Sequence, residues 1–131
     1  MAIHGIDHIN IDTTKPDETV EFYETVLGLE NRPEDRPDFG FAGAWLFSGK
    51  QAVIHLNFHE PGSEAAAKLA DSGKSGAFNH FAFAGSDFDG TCQKLDAQDI
   101  RYRTNDVPDL NLKQIFLRDP NNVAIELNIR S

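Results

Sequence analysis

The amino-acid sequence repeats itself, and this constrains the fold more than any other feature. Ile6-Asp7-His8-Ile9-Asn10-Ile11 has the pattern of Phe78-Asn79-His80-Phe81-Ala82-Phe83, with histidine at the same place in each. Ala52-Val53-Ile54-His55-Leu56-Asn57-Phe58 matches Val123-Ala124-Ile125-Glu126-Leu127-Asn128-Ile129 in character, position for position. Both matches fall at a spacing of about 70 residues, so the chain reads as two copies of one unit of about 55 residues. The expected organisation is one domain over 1–131, with module one at 3–58, a linker at 59–77 and module two at 78–131.

Each copy predicts the same order of elements. A strand carrying a histidine comes first, at 5–12 and again at 78–85. A helix follows. In the first copy Pro16 suits the first turn, where its missing N–H is not needed, and Asp17 and Glu18 favour the positive end of the dipole. Val20, Tyr23 and Leu27 fall on one face, and Gly28 is the expected stop. In the second copy Ser86, with Asp89 three residues on, predicts a capping-box-like start, and Phe88, Cys92 and Leu95 form the apolar stripe. Strands are expected at 29–32, 41–48 and 51–58, then at 100–104, 112–118 and 122–129, with Pro33, Pro37, Gly49, Pro108 and Asp119-Pro120-Asn121-Asn122 marking the turns. The unit is βαβββ, twice. Between the copies a short helix is expected at Glu64–Ala70, followed by a loose stretch at 71–76.

Strand side chains alternate between faces. Ile54, Leu56 and Phe58 therefore oppose Val53, His55 and Asn57, and Ile125, Leu127 and Ile129 oppose Ala124, Glu126 and Asn128. His8, Asn10 and Asp12 oppose Ile9 and Ile11, and His80, Ala82 and Ala84 oppose Phe81 and Phe83. One face of each strand is apolar and suits cover by the helix. The other carries His8, His55, His80 or Glu126, as expected of a sheet that lines a cavity. If the copies pair about a pseudo-two-fold axis, His8 faces His80 and His55 faces Glu126. Three imidazoles and one carboxylate then share one space, a donor set suited to a divalent transition metal. His4 and His59 have no counterpart in the repeat and are assigned to solvent.

Composition excludes several classes. Twenty-one Asp and Glu against 12 Lys and Arg give a formal charge of -9, a field that repels nucleic-acid phosphates and anionic lipid surfaces. The single cysteine, Cys92, permits no internal disulfide. MAIHGIDH has no basic start leading into an apolar run, and no stretch reaches the roughly 20 apolar residues of a membrane span. A cytoplasmic location is expected, with no nucleic-acid or membrane partner.

The strand-helix opening IDHINIDTTKPDETVEFYETVLGLE, the second-half opening FNHFAF and the ending FLRDPNNVAIELNI together resemble the vicinal oxygen chelate superfamily. That group takes in glyoxalases, extradiol ring-cleaving dioxygenases, methylmalonyl-CoA epimerases, fosfomycin-resistance enzymes and bleomycin-sequestering proteins. The similarity covers nearly the whole chain. Its most specific piece is the Asp119-Pro120-Asn121-Asn122 turn leading into Ile125-Glu126-Leu127, and the next is Phe22-Tyr23-Glu24-Thr25-Val26-Leu27-Gly28. The resemblance implies an α+β fold in which two tandem βαβββ modules form a curved mixed sheet around a central cavity. It also implies one divalent metal ion per site (Fe, Mn, Ni, Zn or Co), a small-molecule substrate with adjacent oxygens, and a homodimer.

By the same resemblance His8, His80 and Glu126 are metal ligands, and His55 takes the fourth position. Similar-length bacterial glyoxalases usually carry glutamate there and the epimerases glutamine, while dioxygenases use only the other three. His55 is then a fourth ligand or an acid/base beside the metal, with Glu126 as its catalytic partner. Gln114, Trp45 and Arg103 are the candidate substrate-binding residues. The implied chemistry is chelation of vicinal oxygens at the metal with stabilisation of an oxyanion, as in a glyoxalase-like lyase or isomerase. An extradiol ring-cleaving dioxygenase, and a non-enzymatic bleomycin-type drug-binding protein, are the alternatives. The metal site is compatible with assembly in one chain or across two.

Overall fold

The structure, a computed structural model, describes residues 1–72 and 77–130. The chain divides into two compact units, Met1–Gly73 and Lys74–Ser131. The first contains β1 (Ile9–Thr13), α1 (Pro16–Thr25), β2 (Glu30–Asn31), β3 (Gly43–Ser48), β4 (Gln51–Phe58) and α2 (Glu64–Ser72). The second contains β5 (Phe81–Gly85), α3 (Phe88–Ala97), β6 (Tyr102–Val107), β7 (Leu112–Arg118) and β8 (Ala124–Arg130). Each unit holds one four-stranded mixed sheet, ordered β1-β4-β3-β2 and β5-β8-β7-β6. β1 runs parallel to β4 and β5 parallel to β8, while the remaining pairs are antiparallel. This is the α+β architecture of two tandem βαβββ modules, carried by two separately hydrogen-bonded sheets. No helix among the described residues is long and apolar enough to cross a membrane.

The alternation of faces is seen in the burial. Ile11, Ala44, Leu46, Ile54 and Leu56 are buried in the first sheet, and Ile115, Leu117, Ile125, Leu127 and Ile129 in the second. Each buried leucine or isoleucine stabilises its unit by about 1.5–3 kcal/mol. α1 packs on β2 and β3. Its buried face is Thr19, Phe22, Tyr23 and Val26 rather than the expected Val20-Tyr23-Leu27 line, because the stripe is centred one residue earlier at positions i, i+3, i+4 and i+7. Two buried threonines fix how the chain passes from β1 into α1. Thr13 Oγ1 accepts from Lys15 N at 2.9 Å, Thr19 Oγ1 donates to Lys15 O at 2.7 Å, and the two hydroxyls meet at 3.2 Å. Gly28 (φ 73°) ends this helical segment as expected, its N–H turned back to Glu24 O.

Other expectations need correction. α3 is capped by Asp87, not Ser86: Asp87 adopts a left-handed φ of 64° and its carboxylate accepts from Gly90 N at 3.1 Å. A short acidic side chain tolerates that conformation and satisfies an orphan helical N–H. α2 extends to Ser72 instead of ending at Ala70, and Ser63 Oγ caps it by accepting from Ala66 N at 3.1 Å. Of the loose stretch expected at 71–76, residues 73–76 lie outside the described residues. The first strand of each module is shorter than expected, since the parallel ladders begin at Ile9 opposite Ile54 and at Phe81 opposite Ile125. His8 and His80 thus stand one residue before their strands.

Glu126 is positioned by the turn that feeds β8. Asp119 is 5% exposed, and its Oδ1 accepts from Asn121 N at 2.8 Å and Val123 N at 2.9 Å. Arg118 donates to Asn122 O at 2.8 Å across the same turn, and Asn122 takes φ 65°. The corresponding β3–β4 connection instead turns on Gly49 at φ 62°.

Candidate functional site

In the first unit His55 lies in mid-β4, directly opposite Asn10 on β1 and Trp45 on β3. Its ring is sandwiched. The His8 ring stacks on one side, with centroids 3.7 Å apart and planes 10° from parallel, and the Trp45 indole stacks at 4.2 Å and 14°. Phe39 adjoins Trp45 at 5.8 Å and is itself stacked on Phe41. Burial, and after it the electrostatic influence of the neighbouring His8, pushes the His55 imidazole below its usual pKa. His8 Nδ1 donates to Asp7 Oδ1 at 2.7 Å, which leaves its Nε2 as the lone-pair nitrogen.

Beside this stack is a cavity of about 520 Å³ whose lining includes Arg32, Trp45, Phe47, Lys50, Ala52 and His55. A register shift between Leu46 and Phe47 sets Phe47 opposite Ala52. Trp45 and Phe47, two residues apart on β3, reach the cavity from one face of the strand. Arg32 lies over the Phe47 ring at 4.6 Å and is paired with Glu30 at 3.0 Å.

The second unit pairs the other two expected ligands. Glu126 occupies the β8 position equivalent to His55 and faces Ala82 on β5 and Phe116 on β7. His80 Nδ1 bonds Asn79 Oδ1 at 2.7 Å, the same device as Asp7 on His8, and its Nε2 lies 3.5 Å from Glu126 Oε1. An imidazole nitrogen and a carboxylate oxygen that each sit roughly 2.0–2.2 Å from one tetrahedral ion stand about 3.4 Å apart. The 3.5 Å separation therefore fits shared coordination of a cation, and the donor chemistry fits a borderline-hard divalent metal. Among the described residues no group of three or more His, Cys, Asp or Glu side chains is gathered for a metal ion. The four expected ligands stand as two pairs, His8 with His55 and His80 with Glu126.

Of the other expected residues, Trp45 is the indole stacked on His55. Arg103 Cζ lies over Phe116, 4.2 Å from the ring centroid, two strands away from Glu126. The Gln114 amide is engaged on both sides, accepting from Asn105 Nδ2 at 2.9 Å and donating to Asn128 Oδ1 at 3.1 Å. His4 is exposed, as assigned. His59 departs from its assignment to solvent: its Nε2 meets Asp12 Oδ1 at 2.8 Å, because β1 and β4 run parallel and end side by side. Sequence reasoning missed Asp7 and Asn79. The signal was available, a short side-chain acceptor immediately before each repeated histidine.

Comparison with known proteins agrees with the fold. The family model described as Glyoxalase/Bleomycin resistance protein/Dioxygenase superfamily matches residues 5–127. "Glyoxylase I 4" of Arabidopsis thaliana is 30% identical over 130 residues, covering 97% of this chain and 71% of the plant protein. A Vibrio cholerae protein named "Probable lactoylglutathione lyase" is 26% identical over 133 residues, covering 97% of this chain and 91% of its own length. Among solved structures, a glyoxylase/bleomycin resistance protein/dioxygenase domain from Frankia sp. superposes with a TM-score of 0.74 at 19% identity, covering 99% of this chain and 94% of that one, and so shares the fold. With the match spanning both modules, the chain belongs to the glyoxalase/bleomycin resistance protein/dioxygenase superfamily.

Proposed function

We propose that the chain is a metal-dependent, glyoxalase-like lyase or isomerase that acts on a small substrate with two adjacent oxygens. His8, His55, His80 and Glu126 are its proposed ligands for a divalent ion, in one chain or in a cytoplasmic homodimer. The observation that carries this reading is the approach of His80 Nε2 to Glu126 Oε1 at 3.5 Å, on a ring whose Nδ1 is already committed to Asn79. The family takes in all three readings, and the names of the two sequence relatives favour lyase chemistry over ring cleavage or drug sequestration.

A bound divalent ion supplies Lewis acidity, which lowers the barrier to forming an oxyanion by something on the order of several kcal/mol. Three neutral imidazoles and one carboxylate leave such a site with a net positive charge, which attracts an anionic or readily ionised oxygen. His55 either completes the ligand set or, uncoordinated, takes the substrate proton; its lowered pKa keeps the ring neutral and able to accept near pH 7. Trp45 and Phe47 wall the space for the rest of the substrate, and Arg103 is the candidate partner for a substrate carboxylate.

Elemental analysis of protein purified without a metal-affinity tag tests the reading. One divalent ion per site is expected in the wild type, with loss in His8→Ala, His80→Ala and Glu126→Ala; equal loading of all four proteins would overturn it. His55→Ala should lose metal if His55 is a ligand, and only turnover if it is the proton acceptor. Conversion of the hemithioacetal of methylglyoxal and glutathione to lactoylglutathione reports the lyase. Oxygen uptake with catechols would instead report ring cleavage, and bleomycin binding without either reaction would report the sequestering alternative.

A further inference from the structure

A line of hydrogen bonds crosses the open face of the second sheet and ends on Glu126. Asn105 Nδ2 on β6 donates to Gln114 Oε1 on β7 at 2.9 Å, and Gln114 Nε2 donates to Asn128 Oδ1 on β8 at 3.1 Å. Asn128 Nδ2 then donates to Glu126 Oε2 at 2.9 Å. Sheet register puts the links side by side, with Asn105 opposite Gln114 and Gln114 opposite Asn128. Every donor points the same way. An ionised carboxylate only accepts, so it dictates which end of the Asn128 amide faces it. That choice in turn fixes Gln114, and then Asn105.

The line leaves the two carboxylate oxygens unequal. Oε2 is held by Asn128, while Oε1 is the oxygen 3.5 Å from His80 Nε2. Glu126 has a 14% exposed side chain, so water competes little for this arrangement. We propose that Asn105, Gln114 and Asn128 are positioning residues: they hold the Glu126 rotamer and present Oε1, and only Oε1, beside His80 for a cation. Gln114 thereby serves the carboxylate rather than the substrate. The inference rests on the proposed function for the identity of that cation, though the hydrogen-bonded line itself does not depend on one.

Cobalt(II) titration followed by absorption, on wild type, Gln114→Leu, Gln114→Glu and Asn105→Ala, tests it. Gln114→Leu keeps the side chain's bulk and breaks both links, so cobalt affinity should fall by about tenfold or more with a changed ligand-field spectrum. Gln114→Glu, which retains a polar side chain but cannot donate to Asn128 when ionised, should behave alike and serves if the leucine variant does not fold. Asn105→Ala, at the far end, should lose less. Unchanged affinity and spectrum in a folded Gln114 variant would overturn the proposal while leaving the proposed function standing. If wild type binds no cobalt, the proposed function fails and metal-free NMR decides the line. Glu126→Ala should then shift the side-chain amide signals of Asn128 most, Gln114 next and Asn105 least; unmoved Asn128 and Gln114 signals would overturn it.

Discussion

The two modules share one topology and use equivalent positions differently. β4 places His55 between Asn10 and Trp45, and β8 places Glu126 between Ala82 and Phe116. In the first module the imidazole is held by stacked rings, whereas in the second the carboxylate is held by amides. Asn57 and Asn128 show how one change redirects the network. Asn57 donates to Asp12 at 3.3 Å, across to β1. The residue equivalent to Asp12 is Ala84, which offers no side-chain acceptor, so Asn128 turns to Glu126 on its own strand. The two modules share the backbone ladder, which depends on alternation, and differ on the open face, where each side chain answers only to its neighbours.

The largest effects should test how alike the two halves are. Ile54 and Ile125 occupy equivalent, nearly inaccessible sites at 0% and 1% exposure. Each change to Ala should cost about 2–5 kcal/mol in urea unfolding. A loss in one half several times that in the other would break the equivalence of the cores. Next come the turns, which differ by construction. Asp119→Ala strands two backbone N–H groups and should cost about 1–3 kcal/mol. Gly49→Ala, at φ 62°, should cost about 1–2 kcal/mol. If Asp119→Ala proved harmless, its carboxylate would not be what aims β8.

Smaller effects address the histidine supports. Asp7 and Asn79 make the same bond to their rings, but only Asp7 brings a negative charge. If the proposed metal site holds, Asp7→Asn should weaken divalent-metal affinity by about tenfold, and Asn79→Asp should not weaken it, as read by competitive titration. Equal losses would mean that charge at this position is irrelevant. The smallest expected effect is on pH dependence. In metal-free protein, NMR should find His55 protonating below 6.5, because burial disfavours the imidazolium. The unfolded chain takes up that proton first, so the His55 contribution to stability declines as pH falls below about 6.5 and levels off beneath the folded pKa. His55→Gln should reduce the difference in urea midpoint between pH 5 and pH 7. A His55 pKa above 6.5 would contradict the sign.

Much of this was legible before any coordinates. Period-two alternation placed His55 and Glu126 opposite the buried Ile54-Leu56 and Ile125-Leu127 pairs, because a strand cannot present consecutive residues to one side. Less was legible for α3, where the spacing of Ser86 to Asp89 pointed to Ser86 as the cap and the left-handed turn at Asp87 moves it one residue on. His59 was misread because its partner, Asp12, comes from a strand far away in sequence.

Local spacing along each strand or helix sets the two βαβββ modules, the apolar positions and the donors that share the polar face. Tertiary structure decided who meets whom. His8 joins His55, and His80 joins Glu126, within each unit, because the first and last strands of each module run side by side in parallel. It also decided which nitrogen of each ring is free and which oxygen of Glu126 is held. Those choices depend on hydrogen-bond partners brought together through space, and no periodicity along the chain encodes them.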